Sequence, residues 1–158
     1  MLVVVYLVAI VAANLSVAYF GPIVTPINAF LLIGLDLSLR DKLHDQWTGR
    51  QLWPRMFALV LTGSALAFFI NPAARQIAIA SAVAFGAAGL VDAVIYQALG
   101  GRSRLTRMNG SNTISAAVDS LVFPTLAFGA FMPAIVIAQW IAKVGGGAVW
   151  AWVLTRRA

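Results

Sequence analysis

The chain has 158 residues, 61% of them apolar and 10% charged, with a formal net charge of +6, no cysteine and one histidine. Soluble domains average about 25% charged residues, so this composition excludes an ordinary soluble domain, and the lack of cysteine excludes a disulfide framework and thiolate chemistry. With no glutamate and a single histidine there is no zinc cluster to assemble, and no cofactor is expected.

The first predicted span covers Leu2 to Phe20 and ends at Gly21-Pro22. It has no basic leader and no small-residue cleavage site, so it reads as a retained helix and not as a signal peptide. A shorter second helix is predicted from Pro26 to Leu39, followed by a hydrophilic loop from Arg40 to Gln51. The third helix spans Leu52 to Ile70, closed by Asn71-Pro72, and the fourth spans Ala73 to Leu99 before Gly100-Gly101. A basic loop, Arg102 to Arg107, leads into a fifth helix that reaches about Phe131 and is expected to break at Pro124. That proline has no amide hydrogen and frees the carbonyl of Ser120, beside Asp119. After a tight turn at Met132-Pro133 the sixth helix continues to Leu154.

The expected fold is therefore all-α: one transmembrane domain over residues 1–158, a six-helix bundle in the lipid bilayer of the inner or plasma membrane. Six spans place both termini on one side, together with Arg40, Lys42, Arg50, Arg55, Arg102, Arg104, Arg107, Arg156 and Arg157. The other side holds Arg75, and this asymmetry assigns both termini to the cytoplasm. The basic residues are scattered over short loops and form no stripe on a soluble face, so no nucleic-acid partner is expected.

Polar residues inside the spans recur at helical spacing. Asn112, Ser115 and Asp119 share a narrow stripe on the fifth helix. Asn14 lies midway along the first helix, and Thr25, Asn28 and Asp36 are read as one face of the second. Asp92 and Tyr96 are four apart on the fourth helix; Gln139 and Lys143 are four apart on the sixth, with Trp150 seven further on. At about 1.5 Å per residue, Asp92 and Asp119 lie at similar depths, roughly 12 Å and 10–15 Å from the cytoplasmic end, and are expected to open onto one cavity. A membrane-buried Lys143 needs a counter-charge, and those two aspartates are the deep candidates. Plainer readings stand beside these: Asn14 and Asn28 as interhelical glue, Asp36 solvated or paired with Arg40, and His44 as a solvated loop residue.

The segments ANLSVAYFG, PINAFLLIGLDLSLRDKLHD and R-x-N-x-S-x-T…D-S-x-x-F resemble the queuosine-precursor transporters, the vitamin uptake transporter family. The likeness rests on Arg107, Asn109, Ser111, Thr113, Asp119, Ser120 and Phe123, with Lys143 as a further point. It implies a six-helix inner-membrane protein that imports 7-cyano-7-deazaguanine or a related precursor. It also implies a fold similar to the substrate-binding subunits of energy-coupling-factor vitamin transporters. Where many members carry glutamine before the aspartate, this chain has Ala116-Ala117, and Asp41 or Asp45 stands where a glutamate is common.

The residue chemistry agrees with a flat, purine-like solute. A carboxylate accepts from a ring N–H and its neighbouring amine, an amide meets a ring carbonyl, and an aromatic side chain stacks on the base. Asp119 or Asp92, Asn112 or Gln139, and Phe123 or Trp150 supply those types. The candidate binding set is Asn14, Asn28, Asp92, Tyr96, Asn112, Ser115, Asp119, Phe123, Gln139 and Lys143. The sequence holds no phosphate-binding G-x-x-x-x-G-K-[ST] motif, so ATP would have to be hydrolysed by a separate energising module. A substrate-capturing subunit, docking through Ala9 and Ala13 or forming a homo-oligomer, is an alternative. An intramembrane enzyme is a weaker one, since no Ser-His pair falls within a span.

Overall fold

The computed structural model describes residues 1–47 and 52–155; within its helices the side chains of 40–42, 44–46, 52, 53, 56, 104, 105, 107, 108, 151, 154 and 155 are excluded. Most of the expected cytoplasmic charges therefore lie outside the described side chains, and so do His44, Asp41 and Asp45. The described residues form helices joined by short turns, with no strand among them. The helices are α1 (Leu2–Phe20), α2 (Thr25–Asn28), α3 (Gly34–Trp47), α4 (Leu52–Ile70), α5 (Arg75–Ala98), α6 (Arg104–Phe128) and α7 (Pro133–Thr155). Short 3₁₀ turns at Pro22–Val24 and Pro72–Ala74 lead into α2 and α5, and a π-helical segment, Ala29–Ile33, joins α2 to α3. Stretches 2–20, 22–39 and 72–98 are long and apolar enough to cross a membrane.

The bundle is apolar outside and polar within. Val4, Val8, Phe69, Ile79, Leu90 and Ile141 face outward, while Asn14, Asp36, Ser120, Gln139 and Lys143 are buried. Water would select the opposite arrangement; hydrocarbon selects this one. Arg55 and Arg75 lie near opposite ends of α4, over the rings of Trp47 and Phe68 at 5.7 and 5.2 Å, as interfacial cations do.

Two boundaries differ from the sequence reading. The expected loop after Leu39 is helix as far as Trp47. Leu35, Leu39, Leu43 and Trp47 recur every four residues and pack with Tyr6, Ile10, Leu59 and Val60. Average hydrophilicity hid that stripe. The fifth predicted helix starts three residues early, at Arg104, because the Ser103 hydroxyl accepts from the Thr106 amide at 3.3 Å and caps it. It also runs unbroken through Pro124 and ends at Gly129, whose left-handed φ of 67° stops it before α7.

Helix α5 packs along α6 as an antiparallel hairpin, and the Gln76 side chain donates to the Leu126 carbonyl across it at 3.2 Å. Helix α7 packs against α3, α6 and the π segment. Contact with the π segment is backbone to backbone: a Cβ on Gly146 would stand 2.9 Å from the Phe30 carbonyl carbon, and one on Gly34 2.6 Å from the Gly146 carbonyl carbon. Ser38 fastens the crossing by donating to the Gly147 carbonyl at 3.2 Å. One apolar cluster around Tyr6 and Leu43 closes one end of the bundle, and a second around Val17, Ile77 and Ala127 closes the other.

Candidate functional site

Between those two clusters lies a cavity of about 70 Å³. Its polar wall is Asn14 from α1, Thr25 and Asn28 from α2, Asp36 from α3, Ser81 from α5, Asp119 from α6, and Gln139 and Lys143 from α7. Phe85 and Phe123 supply aromatic faces, with Ile10, Val17 and Val60 as apolar filling. The π segment is what lets Asn28 and Asp36 share this wall. Eight residues of α-helix overshoot whole turns by ~80°, and the one extra residue that a π turn absorbs takes back most of that rotation.

Lys143 anchors the cluster. The residue is 3% exposed, and its ammonium donates to the Asp119 carboxylate, to the Ser120 hydroxyl at 3.0 Å and to the Gln139 carbonyl oxygen at 3.4 Å. Three acceptors match the three hydrogens of an ammonium group. Opposite, the Asn28 amide donates to the Ser16 hydroxyl at 2.6 Å and to the Ala13 carbonyl at 3.3 Å, so it cross-links α1 and α2 while facing the chamber. Two donors are left over: the side-chain nitrogens of Asn14 and Gln139 are buried and have no hydrogen-bond partner among the described residues. Each such orphan costs about 1–3 kcal/mol unless something in the chamber accepts from it.

Of the residues singled out from sequence, Asn14, Asn28, Asp119, Phe123, Gln139 and Lys143 meet on this cavity. Asp92, Tyr96, Asn112 and Ser115 do not. Ser115 is buried and donates to the Asn112 carbonyl at 3.2 Å, and Asn112 lines a separate cleft. Asp92 continues the α5 face of Ser81 and Phe85 but at the wrong depth. From the observed helix ends, Asp119 lies ~22 Å into α6 and Asp92 only ~9 Å from the adjoining end of α5. The expectation that the two aspartates open onto one cavity is therefore corrected, and Lys143 pairs with Asp119. The second carboxylate on this wall is Asp36, 5% exposed, which rules out a solvated position; the alternative of a pair with Arg40 falls on a side chain outside the described residues. Sequence reasoning also missed Phe85 and Ser81, which carry no signal apart from the neighbours they face; Trp150 is not on the wall.

A bundle with a lipophilic exterior and a charged, amide-lined chamber defines the class as a membrane protein with a polar internal site. Comparison with protein families makes the class specific. The family described as "Putative vitamin uptake transporter" matches residues 2–156, so the chain belongs to that transporter family. Neither the curated proteins nor the solved structures include a match.

Proposed function

We propose that this protein imports a queuosine precursor, 7-cyano-7-deazaguanine or a close deazapurine, across the inner membrane, as six spans with both termini in the cytoplasm. The observation that carries the reading is the pair of orphaned amide donors, Asn14 and Gln139, facing the same chamber as two carboxylates and two phenyl rings. A 7-cyano-7-deazaguanine offers its ring carbonyl and the nearby nitrile nitrogen to amide donors, and a ring N–H with an adjacent amine to a carboxylate. Phe85 or Phe123 would cover the ring face.

The chamber volume sets a condition. A cavity of about 150 Å³ holds a benzene ring, so a bicyclic solute needs the walls of this smaller one to separate. Binding is then coupled to helix movement, as a carrier requires. The backbone crossing of the π segment over Gly146 is the natural place for it, since π segments mark functional sites and the glycine at the contact contributes no side chain to it.

Uptake of radiolabelled precursor into cells unable to synthesise queuosine tests the proposal. The intact chain restores accumulation, and Asp119→Asn abolishes it. Full uptake by that variant, or no stabilisation of purified protein by any member of a deazapurine panel, would overturn the reading. A ligand at a hundred times its Kd stabilises by about 2.7 kcal/mol, which thermal unfolding detects easily.

A further inference from the structure

We propose that Lys143 is the inner latch of the solute path, its ion pair with Asp119 separating the chamber from a second cavity that serves as the release vestibule. The inference rests on the import reading above and adds a route and a gate to it.

The second cavity measures about 330 Å³ and is walled by Leu37, Ser38, Asn109, Asn112 and Thr113 together with Lys143. Among the described residues, Lys143 alone belongs to both walls. The two cavities lie end to end along the same helix faces. On α6 the vestibule residues Asn112 and Ala116 run on to Asp119 and Phe123 of the chamber, in steps of four, three and four. On α7 the steps of four from Gln139 through Lys143 to Gly147 make the same passage, and on α3 Asp36 and Leu37 are adjacent. The vestibule occupies the first turns of α6, next to the arginine-rich segment after Gly101 that the charge asymmetry assigns to the cytoplasm.

The ammonium closes this passage because all three of its hydrogens are engaged, tying α7 to α6. A solute that donates to Asp119 competes for the very carboxylate that holds the latch. Occupancy thus loosens the barrier on the cytoplasmic side, and the long, flexible lysine stem can swing aside without any helix unwinding. The vestibule beyond has four to five times the chamber's volume and presents amide and hydroxyl groups to a polar solute.

The chain contains no cysteine, so introduced ones report alone. Ser81→Cys places a thiol in the chamber wall, and Asn112→Cys places one in the vestibule. Each is treated with a membrane-impermeant thiosulfonate in inside-out vesicles, with and without the charge-neutral pair Lys143→Met plus Asp119→Asn, which leaves no unpaired buried charge. Asn112→Cys should react readily in both backgrounds. Ser81→Cys should react slowly at first and at least about ten-fold faster once the pair is neutral, the change that ~1.4 kcal/mol removed from a barrier produces. An unchanged Ser81→Cys rate overturns the latch, and Asn112→Cys reacting only in right-side-out vesicles overturns the direction of release. No solute enters these measurements, so a negative binding panel refutes the substrate reading and leaves the latch to stand or fall by its own rates.

Discussion

Replacing Lys143 with methionine removes the ammonium and leaves Asp119 without its counter-charge. The lysine side chain is 4% exposed and that of Asp119 24%. Breaking a fully buried pair by deleting one partner costs about 3–5 kcal/mol. A carboxylate one quarter exposed keeps part of its solvation, so the lower figure, about 3 kcal/mol, applies here. For a chain of this length each kcal/mol moves the midpoint by roughly 2–4 °C, giving an expected fall of roughly 6–12 °C. Asp119→Asn should cost at least as much, because it strands the more deeply buried ammonium. Neutralising both groups removes the stranded charge, and buried pairs replaced by neutral groups are often tolerated. The double variant should then lie within about 1 kcal/mol of the parent, far from the sum of the single losses. Tryptophan fluorescence during thermal unfolding in detergent reads all four proteins. Single variants that shift by less than about 2 °C, or a double that falls by the sum, would refute a structural ion pair at this site.

Gly146→Ala should destabilise by about 1–3 kcal/mol, since its Cβ would meet Phe30 backbone carbons at 2.9 Å, whereas Gly145→Ala, at 3.8 Å from the Phe30 ring, should be tolerated. The same unfolding assay separates the two; equal effects would show that α7 does not cross the π segment as described. Leu43→Ala should cost about 2–4 kcal/mol if the helix packs beyond Leu39, and almost nothing if that stretch is a solvated loop. In precursor uptake, Asp36→Asn should lower the initial rate about ten-fold, the loss of one hydrogen bond to a charged group, while Asp92→Asn should change it little. The reverse ranking would return the site to the α5 carboxylate.

Composition and periodicity alone determined the membrane class, the positions of the long rods and the chemistry of the interior. Ionisable and amide groups cost so much in hydrocarbon that Asn14, Asp119, Gln139 and Lys143 had to face inward, whatever the packing. Helix ends were legible where proline, asparagine or glycine punctuated them, as at Gly21 and Asn71. They were misread where a capping serine or a leucine stripe at spacing four carried the signal, as at Ser103 and from Leu35 to Trp47. Only the tertiary structure decided which carboxylates meet. Asp92 and Asp119 look alike in sequence, but depth in a bundle depends on where each helix begins and ends: Asp92 lies ~9 Å from the end of α5 and Asp119 ~22 Å from the start of α6, so they differ in depth by ~13 Å. Asp36 reached the chamber through a π turn, which rotates one half of a helix against the other. That rotation follows from the packing of α7 against the Phe30 backbone, a contact between residues more than a hundred positions apart that no local pattern records.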